Sequence, residues 1–191
     1  MRWLKMSKYL PEHGWQPIIY TPENPDSSVD DESLLHEIHQ DSIIIKHPIW
    51  EPYDVYRRLS GKKKGTKFKA GYVSEASSGN WKSKLSVFIR GNFLIPDPRK
   101  FWIKPSIRFL SKYITENDID AIVSTGPPHS MHLIALGLKK RFPAIKWIAD
   151  FRDPWTNIDF YFKLRLTTWA DKKHKKLEKK VLTKADHVVT F

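Results

Sequence analysis

Apolar positions along this chain recur with two alternating periods, and the switches between them mark out the elements. The opening is helical: Trp3, Leu4, Ser7 and Leu10 share a face, and Gly14 supplies a stop signal. Residues 16–21 (QPIIYT) are a short β-branched run closed by Pro22 and predict a strand. A polar region over 23–31 leads to a helical turn around Leu34, Leu35 and Ile38. Residues 42–46 (SIIIK), nearly all apolar, predict a second strand covered on both faces. Periodicity vanishes over 61–79, where Lys, Gly and Ser dominate, and a flexible basic loop is expected there. Trp81, Leu85, Phe88 and Ile89 follow at helical spacing, then Pro96-Asp97-Pro98 breaks the chain. A helix over about 100–115 leads to a strand over 121–125 (AIVST) and a helix over 129–142. A strand over 146–149, one long helix over 160–184 and a last strand over 188–191 complete the pattern.

Strands alternating with helices imply an α/β fold: a doubly wound, Rossmann-like parallel sheet with right-handed crossovers and helices on both faces. The 191 residues suit a single domain with a real core. Such a unit normally opens on a strand and a phosphate-ready turn. This one opens on a helix and closes on a strand, so it is expected to be part of a longer protein, lacking the first strand.

Composition narrows the chemistry. Cysteine is absent, which excludes disulfides, a thiolate nucleophile and Cys-ligated metal. The net charge of +12 points to an anionic partner: nucleic acid, an acidic membrane surface or a phosphorylated substrate. No apolar run is long enough to span a bilayer and the start lacks a signal-peptide core, so a soluble, cytoplasmic protein is expected.

Two segments concentrate candidate chemistry. Gly126-Pro127-Pro128-His129-Ser130 lies between a predicted buried strand and a helix; Asp150-Phe151-Arg152-Asp153-Pro154-Trp155 follows the next strand. Ligands of open parallel sheets bind at the carboxyl ends of strands, so the two loops are expected to share one crevice. The stiff turn leaves a helix start, capped by Ser130 or His129, with backbone N–H groups free for a phosphate or a sugar hydroxyl. His129 reads either as a cap or as a ligand contact. One of Asp150 and Asp153 is expected to pair with Arg152 inside the loop while the other faces the crevice. Trp155 reads as a lid over the core or as a sugar platform. No tight His/Asp/Glu cluster suggests a metal site.

These two segments, with Arg2-Trp3-Leu4-Lys5 and Tyr20-Thr21-Pro22-Glu23-Asn24-Pro25, resemble the amino-terminal domain of family 4 glycosyltransferases, most of all bacterial surface-polysaccharide members. The resemblance covers nearly the whole chain. It implies the amino-terminal half of a two-domain GT-B fold, without the second domain that grips the donor diphosphate. It further implies retaining transfer of a sugar from a nucleotide-diphosphate sugar to a glycan or lipid-linked acceptor, with no metal or other cofactor. His129, Asp150 and Asp153 would then be the catalytic candidates, and Gly126, Ser130, Arg152 and Trp155 would bind substrate. A chain holding half an active site is expected to be inactive alone.

The basic clusters carry a further expectation. Lys62, Lys63 and Lys64 precede an amphipathic stretch containing Trp81 and Phe88, a combination that suits the anionic inner face of a membrane unless that stretch packs on the sheet. The competing reading is a basic nucleotide- or nucleic-acid-binding module without catalysis. Nucleic acid is disfavoured by the lack of helix-turn-helix, zinc-finger or aromatic RNA-binding patterns.

Overall fold

A computed structural model describes residues 2–24, 32–51, 81–159 and 161–190. The expected loop over 61–79, with Lys62, Lys63 and Lys64, lies outside the described residues. The chain divides into two compact units, one holding the described residues up to Ile49 and the other those from Trp50 onward.

In the first unit, helix α1 (Arg2–Tyr9) runs into a 3₁₀ turn (Leu10–His13) that Gly14 ends at φ 76°. That left-handed value is the reason for glycine there. Strands β1 (Ile18–Pro22) and β2 (Ile43–His47) pair in parallel, with Ile18 opposite Ile43. Asn24 fixes the exit from β2, because its side-chain amide takes both backbone polar groups of Ile49. The apolar run of β2 suggested cover on both faces; instead Ile43 and Ile44 are exposed.

The second unit contains α2 (Trp81–Phe93), α3 (Lys100–Glu116), β3 (Ala121–Gly126), α4 (Ser130–Arg141), β4 (Lys146–Phe151), α5 (Thr168–Lys184) and β5 (His187–Thr190). Its three strands form a parallel sheet in the order β3-β4-β5. The fold is therefore α/β with parallel pairing throughout, in two small sheets of two and three strands. Consecutive strand order with right-handed crossovers puts α4 and α5 on one face of the larger sheet. The core lies on that face: Trp147, Ala149 and Phe151 of β4 pack with Ala135 and Leu136 of α4, Val181 of α5 and Trp155. Each large apolar side chain so buried contributes about 1.5–3 kcal/mol. Asp186 ties the frame together, accepting the Trp147 N–H at 2.8 Å and pairing with Lys139 of α4 at 2.7 Å.

One expected helix is two elements. The stretch predicted as helical over 160–184 holds a 3₁₀ turn (Tyr161–Leu164), a break with Arg165 at φ 51°, and then α5. Thr167 caps α5 by accepting the Ala170 N–H. Buried Asn92 of α2 holds the break open: its Oδ1 accepts the Thr167 N–H and hydroxyl, and its Nδ2 donates to the Arg165 carbonyl.

Candidate functional site at the carboxyl ends of β3 and β4

Register brings the two polar loops together. Thr125 lies opposite Asp150 and Gly126 opposite Phe151, so both loops leave the sheet side by side. They are also bonded to each other. The Arg152 N–H donates to the Gly126 carbonyl at 2.9 Å, and the Arg152 guanidinium donates to the Pro127 carbonyl.

The helix start after Pro128 differs from the sequence expectation. Neither His129 nor Ser130 caps it with a side chain. Asp97 does: its Oδ2 accepts the Ser130 N–H at 2.7 Å, and its Oδ1 accepts the Arg99 N–H. The niche expected for a substrate anion therefore already holds a carboxylate. Burial raises the Asp97 pKa, while the bonds from Ser130 and the neighbouring Arg99 oppose that rise. Ser130 itself is fully enclosed. Asp97 was read in sequence only as part of a chain break. An acid between two prolines, projecting from a rigid corner, is the signal that could have found it.

Aromatic stacking organises the rest. His129 lies parallel to Trp155, with centroids 4.6 Å apart and an interplanar angle of 1°. One turn later His132 stacks on Phe151 at 4.4 Å. Each imidazole of the α4 loop thus covers an aromatic ring of the β4 loop. Trp155 is only 3% exposed, and its indole N–H donates to Nδ1 of His174, whose Nε2 meets the Gly91 carbonyl. It is a lid over the core and offers no open platform to a sugar. The His174 tautomer is fixed in consequence: an indole can only donate, so His174 accepts at Nδ1 and carries its proton on Nε2, toward the Gly91 carbonyl.

The charged candidates separate by burial. Asp150 is 0% exposed and accepts the Thr125 hydroxyl at 2.7 Å on the sheet face opposite Ser124 and Ala149. Its carboxylate is enclosed at the strand end, so of the two acids it is Asp153 that is open to the loop surface. Arg152 and Asp153 are exposed at the loop. His129 is half-buried, with Nδ1 enclosed. Its pKa is lowered to about 3, first by burial and then by His132, His174 and Arg152. That of His132 is lowered to about 4 by burial, against the pull of Asp150. Both rings are neutral at pH 7. His129 can exchange hydrogen bonds with a ligand but supplies no positive charge.

The expected membrane segment, in its described part α2, packs mostly on the 161–164 turn and α5. Trp81 is 66% exposed at its start, whereas Phe88 is half-buried with its ring edge-on to Phe93. Sequence reasoning missed a neighbouring aromatic and cationic surface. Trp169 is 61% exposed beneath Lys173, and Lys100 lies over Phe101, which meets exposed Trp50 edge-on at 4.8 Å. Spacing of Trp169 and Lys173 by four residues on one helix was the available signal. Among the described residues, no group of three or more His, Asp or Glu side chains could hold a metal, and no helix is long and apolar enough to cross a membrane.

No protein-family model, curated protein or solved structure matches this chain.

Proposed function

We propose that this chain is the acceptor-side, Rossmann-like part of a retaining glycosyltransferase that moves a sugar from a nucleotide-diphosphate donor to a glycan or lipid-linked acceptor. The observation that supports it most is the junction of the β3 and β4 loops at adjacent strand ends, with half-exposed His129 beside exposed Arg152 and Asp153. Neutral His129 would donate a hydrogen bond to a sugar hydroxyl or to the departing oxygen. Arg152 would add positive charge at the rim, and Asp153 would accept from acceptor hydroxyls. The donor diphosphate would be held by a second domain of the GT-B type, since Asp97 fills the helix start of this one. An anionic bilayer at the cytoplasmic face is the proposed surface on which a lipid-linked acceptor is met, supported by exposed Trp81, Trp169 and Lys173 and by half-buried Lys100 beside them.

The test is sugar transfer. Residues 1–191 alone are expected to release no nucleotide diphosphate from any nucleotide sugar, while a parent protein carrying the donor domain turns over. In that parent, His129→Ala should lower turnover by about 10²-fold or more, the scale of one lost transition-state donor. Loss of its stack on Trp155 should cost only about 0.5–1.5 kcal/mol of stability. Transfer by residues 1–191 alone, or full activity of His129→Ala in the parent, would overturn the reading.

A further inference from the structure

His129 and His132 lie one turn apart at the start of α4, and each has an enclosed ring nitrogen with no hydrogen-bond partner: Nδ1 of His129 and Nε2 of His132. The two nitrogens converge on one spot. A Cβ on Gly126 would sit 2.6 Å from Nε2 of His132 and 3.2 Å from Nδ1 of His129, so a glycine is needed to leave that spot open. The other edge of the fully buried His132 ring is tied down. Its Nδ1 is 2.8 Å from Oγ of Ser124, and the same oxygen accepts the Trp147 indole N–H at 2.9 Å. Direction follows from what each group can do. The indole can only donate, which uses one lone pair of Ser124, and among the described residues the acceptor left for the Ser124 hydroxyl proton is Nδ1 of His132. His132 therefore carries its own proton on Nε2, in the same enclosed space beside Gly126 that holds Nδ1 of His129.

We infer that His132 is a positioning residue for His129: its Nε2–H, set by Ser124 and Trp147, keeps Nδ1 of His129 unprotonated and turned inward. The proton of His129 is then on Nε2, at the half-exposed edge of the ring, as a donor toward the strand-end crevice. A proton on Nδ1 instead would set two N–H dipoles against each other in an enclosed space, where such opposition is poorly screened. The stack on Trp155 fixes the plane of the His129 ring but does not select which nitrogen is protonated. The Trp147–Ser124–His132 relay makes that selection. Its use in sugar transfer rests on the function proposed above; the tautomer does not.

The experiment reads tautomers directly. In the 191-residue chain labelled with ¹⁵N-histidine, long-range ¹H–¹⁵N correlation at pH 7 should show His129 as a single Nε2–H form. His132→Phe keeps an aromatic ring on Phe151 but removes the donor, and should abolish that single form. His132→Gln, which returns an N–H donor, should restore it, and Ser124→Ala should blur it by freeing the His132 ring. An Nδ1–H His129 in the unsubstituted chain would overturn the inference without any variant having to fold. So would an unchanged Nε2–H form in folded His132→Phe. In a transfer-competent parent, His132→Phe should lower kcat with KM little altered. If no parent transfers sugar while the tautomer pattern appears as expected, the glycosyltransferase reading fails and the relay stands.

Discussion

At the scale of single residues, the two stacked histidines give the chain a defined acid response. Unfolded, each takes a proton near pH 6.5; folded, His132 waits until about 4 and His129 until about 3. The unfolded chain therefore binds more protons throughout the window between, and stability must fall as pH drops through it. Above pH 6.5 the contribution is fully present. Below it, each such histidine costs about 1.4 kcal/mol per pH unit. The lowered carboxylates Asp171 and Asp186 lose their contribution only from the ordinary carboxylate range downward, outside a comparison of pH 7 with pH 5, while the raised Asp97 acts in the opposite sense above that range. Urea melts at pH 7, 6 and 5 should show the loss, and His132→Phe should make the slope shallower. Equal stability at pH 7 and pH 5 would contradict the burial of these rings. Of these residues, His129 was legible in the sequence because it sits beside a glycine-proline turn at a strand end. His132 was not: inside a helix it looks like any inward-facing polar residue, and its meaning lies in Ser124 and Trp147, eight and fifteen positions away. Asp97 was hidden for the same reason, since it caps a helix 33 residues later in the chain.

At the scale of elements, the strands were the most legible feature. Short β-branched runs between turn residues mark all five described strands to within about two residues, because β-branched side chains fit the extended backbone. The break before α5 was not legible. Phe162, Leu164, Leu166 and Trp169 look like a continuation of the helix, and only a buried amide from α2 makes a break favourable. Asn92 is 2% exposed and its Oδ1 takes both the N–H and the hydroxyl of Thr167. Asn92→Ala would strand those two donors and the Arg165 carbonyl. Leaving one such group unpaired costs about 1–3 kcal/mol, so the variant should lose at least that much in denaturant unfolding at unchanged m-value. Asn92→Asp retains the acceptor and should recover part of the loss. A neutral Asn92→Ala would show that the break is set by Thr167 and Arg165 alone.

At the scale of the whole molecule, the charge of +12 was plain in the sequence, but its arrangement was not. Lysine runs on an exposed helix are usually no more than a solvated face. What distinguishes this surface is that cations and exposed aromatic rings share it: Lys173 over Trp169, Lys163 over Phe162, Lys100 over Phe101. Burial, and after it the charge of nearby Lys173, lowers the Lys100 pKa. An anionic surface would relieve that repulsion. Indole and phenyl rings would enter the headgroup region while each lysine there added about 1 kcal/mol of attraction, screened by salt. Co-sedimentation with vesicles of phosphatidylglycerol and phosphatidylcholine should therefore show binding that rises with the anionic fraction and weakens with salt. Lys100→Glu with Lys173→Glu should cut it about tenfold or more, since two attractions become repulsions. Trp169→Ala should weaken it at every salt concentration, because the apolar contribution is not screened. Absence of binding to fully anionic vesicles at low salt would end the membrane proposal and leave the charge to a soluble anionic ligand.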